Sequence, residues 1–182
     1  DIYGPSQPLL LGLGAEKPEV VNKRFQPLVA HGLKSMSMGY LIDAKAPTIW
    51  RGPMVSGALL QMLNQTDWGQ LDYLIVDLPP GTGDIQLTLA QKIPVSGALI
   101  VTTPQDLALL DARKAVAMFQ KLDITVLGVI ENMSTYTCPH CQQDSAIFGE
   151  AGGERLSVQY NIPFLGSLPL ATTVRESADR GC

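Results

Sequence analysis

The chain has 182 residues, 46% of them hydrophobic, and a formal charge of −4, which suits one α/β domain with a substantial core. Its 13 basic residues are scattered, so there is no footprint for DNA or RNA, and no apolar run reaches the ~18 residues of a membrane span or resembles a signal peptide. The expectation is a cytoplasmic protein with no nucleic-acid and no membrane partner.

Residues 1–8, DIYGPSQP, form a turn-rich loop in which Gly4, Pro5 and Pro8 oppose regular structure. Asp1 stands at its head in the manner of a residue leaving a strand, and the chain reads as a piece of a longer protein. Residues 9–26 suit a surface excursion around a short helix. Residues 33–38 suit a strand. After Trp50-Arg51-Gly52-Pro53, residues 54–63 place Val55, Leu59, Met62 and Leu63 at helical spacing.

Residues 73–77 run almost wholly apolar into Asp77, the pattern of a buried parallel strand that delivers a carboxylate to a sheet edge. The Pro-Pro-Gly-Thr-Gly turn that follows lets backbone N–H groups at Gly81 and Gly83 approach an anion, while Asp77 can hold a water on Mg²⁺. This is the logic of a phosphate-handling site, although the same residues also suit a strand, a tight turn and a capped helix with no ligand. Residues 85–93 follow as a helix with Asp84 as its N-cap.

Residues 97–102 are a second apolar strand. Thr103-Pro104-Gln105-Asp106 resembles a capping box and opens a helix to about Leu122, with Leu107, Leu110, Ala115, Met118, Phe119 and Leu122 as its core stripe. Residues 125–130 and 164–168 supply two more strands. Strands alternating with helices imply an α/β fold, a parallel sheet with helices on both faces, and ligands at the carboxyl ends of the strands, where Asp77, Thr102, Asn132 and Leu168 fall.

Two features carry chemistry. No GxxxxGK[ST] loop occurs in the 182 residues, so the cradle and lysine that a P-loop needs would precede Asp1, and these residues by themselves are expected neither to bind nor to hydrolyse ATP. The second feature is Cys138-Pro139-His140-Cys141. Two thiolates at this spacing share one metal, and a second copy of the chain would complete four ligands on a two-fold axis, with zinc or an iron–sulfur cluster both fitting. A redox dithiol and a pair of inert cysteines are the alternatives.

Together, DIYGPSQP, MSMG, WRGPMVSGAL, DWGQLDYLIVDLPPGTGDIQLTLAQ, TTPQDLALLDARKA, GVIENMS and CPHC followed by FG and GG resemble the Mrp/ApbC family over nearly the whole chain. Members are iron–sulfur cluster carriers, MinD-like deviant P-loop ATPases. The resemblance implies one P-loop NTPase domain over residues 1–182, incomplete at its N-terminus, with a CxxC insertion around 134–149. It implies that Asp1 lies by the attacking water and that Asp77, Gly81 and Gly83 form the second phosphate switch. It further implies that Asn132 reads adenine beside Pro169, and that Cys138 and Cys141 hold a bridging [4Fe–4S] cluster in a homodimer. ATP, Mg²⁺, cluster donors and apo-protein clients come with it. A MinD/ParA-type positioning ATPase and a non-enzymatic zinc-bridged dimer are the rival functions.

Overall fold

The computed structural model describes residues 6–14, 16–42, 52–79, 81 and 83–182. Asp1, Arg51 and the side chain of Asp84 lie outside the described residues, and with them the expectations for Asp1 and for an Asp84 cap. Two units divide the chain, one running up to Leu89 and including Arg175–Cys182, the other covering Ala90–Val174.

In the first unit Pro8 does not prevent structure. It sits in the first turn of helix α1 (Gln7–Leu10), where a missing N–H costs nothing. The stretch expected as an excursion contains a hairpin of β1 (Val20–Val21) and β2 (Arg24–Phe25), turned by Asn22 and Lys23 at φ +50° and +63°. A second hairpin pairs β3 (Leu28–Ala30) with β4 (Leu33–Ser35), and its turn places His31 and Gly32 at φ +51° and +75°, the twist that two-residue hairpin turns require. The strand expected over 33–38 therefore stops at Ser35. Ser37 ends it by capping helix α2 (Met38–Leu41), its hydroxyl accepting the Gly39 N–H at 3.0 Å.

Helix α3 (Gly52–Gln65) buries Val55, Leu59 and Met62 on one stripe, as expected, while Leu63, expected with them, is only half-buried. Thr66 donates to the Met62 carbonyl at 2.5 Å and forms a bridge with Phe25. Helix α4 (Asp84–Lys92) agrees with the sequence expectation to one residue at each end. Late in the chain comes helix α7 (Thr172–Arg180), after which Gly181 abuts Gly12 so closely that a Cβ on Gly181 would stand 2.3 Å from the Gly12 Cα, and its carbonyl lies 3.0 Å from His31 Nε2.

The strand expected over 73–77 is not formed. Residues 73–79 carry no strand pairing, and Tyr73 and Ile75 are 86% and 89% exposed. An apolar run becomes a buried strand only where another strand accepts its N–H and C=O groups and other elements cover its faces. Among the described residues neither condition is met for 73–77.

The second unit holds a three-stranded parallel sheet in the order β5 (Ala98–Thr102), β6 (Val126–Glu131), β9 (Phe164–Ser167). All three lie within one residue of their sequence bounds. Ala98, Ile100 and Thr102 are buried while Leu99 and Val101 between them are exposed, so one face of β5 carries the core. Helices α5 (Asp106–Lys121) and α6 (Gly152–Tyr160) pack on the strands and on each other.

Two details of α5 differ from expectation. It starts at Asp106 with an extended Gln105 as N-cap, no side chain caps it, and the Thr103 hydroxyl bonds the Gln105 side chain instead. Pro104 stays outside the helix because its backbone is packed against Gly152, where an added Cβ would stand 2.7 Å from the Pro104 oxygen. The buried stripe is Leu109, Ala112, Val116 and Phe119 with Met118, whereas Leu107 is 77% and Leu110 47% exposed. No helix among the described residues is long and apolar enough to cross a membrane.

Candidate functional site

The carboxyl edge of the parallel sheet is stitched by backbone hydrogen bonds. Asn132 donates its N–H to the Thr102 carbonyl at 2.7 Å, Leu168 to Glu131 at 2.8 Å, and Ser134 to Leu168 at 3.0 Å. Thr102, Asn132 and Leu168 thus meet at this edge as the strand order requires. Pro169 is held beside them, because its neighbours are bonded on both sides: Leu170 donates to the Thr135 carbonyl at 2.8 Å. Asn132 is half-buried, and its Oδ1 accepts the Met133 N–H at 3.0 Å. Its Nδ2 and the second lone pair of Oδ1 are therefore what it can offer a ligand.

From this edge the chain rises into the cysteine hairpin. Strands β7 (Tyr136–Thr137) and β8 (Asp144–Ser145) pair antiparallel, and Thr137 Oγ1 donates to Asp144 Oδ1 at 2.6 Å. The turn is closed by Cys138 N–H on the Gln143 carbonyl and Gln142 N–H on the Cys138 carbonyl, both at 2.9 Å. Gln142 takes the left-handed conformation, φ +59°, that folds the chain back. Cys138 and Cys141 stand on this turn as free thiols, the first half-buried and the second exposed.

The turn also tunes the sulfur. The backbone N–H of Cys141, then that of His140, then the Cys141 thiol hydrogen-bond to Cys138 and hold its pKa below the usual thiol range. Donors aimed at a sulfur favour its thiolate, the form that binds metals. Among the described residues no third His, Cys, Asp or Glu joins the pair as a metal-holding group. Two cysteine sulfurs on one turn fit half of a four-ligand site.

The phosphate-side residues belong to the first unit. Asp77 is exposed and is not at the end of a strand, which corrects the expectation that a buried strand presents it. Gly81 has φ +100° with open space where a Cβ would be, and Gln86 Nε2 donates to the Pro79 and Gly81 carbonyls at 2.8 and 3.0 Å. Gly83 is similarly open, with only Gln86 Oε1 at 3.8 Å from an added Cβ. Among the described residues, Asp77 offers one exposed carboxylate, and Gly81 and Gly83 leave open the space a side chain would fill, chemistry that suits a phosphate and its cation; the lysine-bearing loop has no counterpart in the 182 residues.

One residue without an assigned role in the sequence is prominent in the structure. Glu131 at the end of β6 is only 4% exposed, and its Oε2 accepts the Gly153 N–H at 2.6 Å. The sequence signals only half of this: an acid closing an apolar strand is costly unless it has a partner, while the partner, the Gly153 N–H, is supplied by the fold.

Comparison with known proteins identifies the family. The family described as ParA: NUBPL iron-transfer P-loop NTPase matches residues 1–182. The chain is 58% identical to an iron-sulfur cluster carrier protein of Pseudomonas fragi, over 100% of this chain and 64% of that protein. It is 50% identical to the iron-sulfur cluster carrier protein of Escherichia coli K12, over 100% and 49%. It is 48% identical to the mouse iron-sulfur cluster transfer protein NUBPL, over 100% and 57%. The chain thus spans between about half and two thirds of the length of these curated relatives. Among solved structures, a nucleotide-binding protein from Archaeoglobus fulgidus in complex with ADP superposes with a TM-score of 0.83 at 36% identity, covering 100% of this chain and 71% of that one. The chain belongs to the NUBPL-type iron-transfer P-loop NTPases of the ParA family.

Proposed function

We propose that this protein carries an iron–sulfur cluster as cargo on Cys138 and Cys141 and passes it to apo-proteins in the cytoplasm under the control of ATP. The observation that carries this reading is the cysteine turn, which presents two thiols at an exposed tip and holds one of them toward the thiolate. A pair of ligands that one chain leaves incomplete suits a [4Fe–4S] cluster shared across a homodimer, and an exposed position suits a cargo that must leave. The names of the relatives support the same cargo.

For the nucleotide, Asn132 and the Pro169 loop are assigned to the base, and Gly81 and Gly83 to a phosphate. Asp77 is assigned to a Mg²⁺-bound water and Asp1 to the attacking water. Mg²⁺, when bound, supplies positive charge against the phosphates. Asn132 supports the assignment with a free donor and a remaining lone pair, the set that pairs with an adenine edge.

The test follows transfer of the cluster from the intact protein to an apo-ferredoxin, with and without Mg²⁺–ATP, in wild type and in Asp77→Asn. Wild type is expected to transfer at a rate that changes with nucleotide. Asp77→Asn is expected to keep the cluster but to lose hydrolysis by about 10²-fold or more, as removal of a charge-organising group does. No transfer from loaded wild type, or wild-type turnover by Asp77→Asn, contradicts the proposal.

A further inference from the structure

The segment bearing the cysteines leaves the sheet at Glu131 and re-enters the packed structure at α6. Its outgoing limb is fixed by the Asn132, Ser134 and Leu170 backbone bonds to the sheet edge. Its returning limb enters α6 through Ala151, at φ +51° with no side-chain cap. Such a helix start leaves N–H groups that need acceptors. Glu131 is one of them, reaching from β6 to the Gly153 N–H at 2.6 Å in a buried setting. The approach depends on glycine: a Cβ on residue 153 would stand 3.0 Å from Glu131 Cβ and 3.4 Å from its Oε2. A carboxylate at a helix N-terminus gains from both the charged hydrogen bond and the helix dipole.

We infer that Glu131 is a positioning residue for the cargo site. Its carboxylate ties the two ends of residues 132–152 together and so sets the placement of Cys138 and Cys141. This rests on the carrier reading above. Glu131 acts through α6 and not as a ligand.

The test compares Glu131→Ala, which removes the acceptor, with Glu131→Gln, which keeps an oxygen at the same reach. Amide hydrogen exchange of the metal-free protein comes first. In Glu131→Ala the amides of Gly153, Cys138 and Gln142 are expected to exchange about ten-fold faster or more, the scale of one lost charge-assisted hydrogen bond, with Ile100 and Val129 unchanged. Glu131→Gln is expected to recover most of that protection, leaving Gly153 about three-fold faster, since a neutral acceptor is the weaker one. It decides alone if Glu131→Ala does not fold.

Loaded with cluster, Glu131→Ala is expected to lose iron to a chelator about ten-fold faster at unchanged ATP affinity, matching the local opening. Faster exchange spread evenly over β5, β6 and α5 would reveal general destabilisation and overturn the inference. Unchanged exchange at Gly153 and the turn, or unchanged iron release, would overturn it too. If wild type takes up no cluster while the hairpin amides respond as expected, the carrier reading falls and the anchoring role of Glu131 stands.

Discussion

Replacing Cys138 or Cys141 by Ser is expected to abolish retention of iron while leaving the fold intact. In the proposed homodimer each copy offers two cysteine sulfurs, so one substitution leaves that site with half its ligands, and a hydroxyl does not replace a thiolate on iron. The stability of the protein should move by less than about 0.5 kcal/mol, because the turn is at the surface and its closing bonds, Cys138 N–H to Gln143 O and Gln142 N–H to Cys138 O, are made by backbone atoms. Metal analysis beside a thermal melt checks both halves. Iron held at the wild-type level by either variant would remove the pair from the site. A collapsed melting temperature would mean that the hairpin supports the fold.

Leu109→Ala is expected to have the largest effect on stability, about 2–5 kcal/mol, the range for deleting a buried leucine side chain. Leu109 is 1% exposed and lies under the start of α6, its Cδ1 within 3.0 Å of where a Cβ on Gly152 would be. In a domain of this size each kcal/mol moves the melting temperature by roughly 2–4 °C, so a drop of about 4–20 °C is expected by calorimetry. Leu107→Ala on the same helix, at 77% exposure, should stay within about 0.5 kcal/mol. Equal losses from the two variants would show that the buried stripe is misassigned.

That pair of leucines also marks where sequence stops deciding structure. Helix α5 has Leu107, Leu109 and Leu110 within its first turns, so apolar residues cover more than one side and periodicity leaves open which side meets the sheet. The choice follows from long-range packing against β5 and α6. Its start was unreadable for a similar reason, since Pro104 is held outside the helix by Gly152, far along the chain. By contrast β5, β6 and β9 were legible because continuous apolar runs bounded by turn residues carry their own signal, and α3 because its stripe is single. Residues 73–77 carry the same apolar signal as β5. A strand is made by its partners, and for this run none stands among the described residues.

Site legibility divides in the same way. That Cys138 and Cys141 stand on one turn is readable from their spacing, because residues 138–143 close that turn among themselves. The meeting of Thr102, Asn132 and Leu168 is readable from strand order. Glu131 was not readable as a cap on α6, because Gly153 comes to it only through the fold. Asp77 keeps its chemical meaning as a carboxylate before a glycine turn, while its geometry depends on a strand that these residues do not form.

The most direct test of the carrier proposal is the iron, acid-labile sulfide and zinc content of the intact protein purified without oxygen, with its visible spectrum. The account predicts about two irons and two sulfides per chain, a four-iron cluster divided between two copies, with visible absorption. About half a zinc per chain and a colourless protein would contradict it and identify the turn as a structural clip between chains.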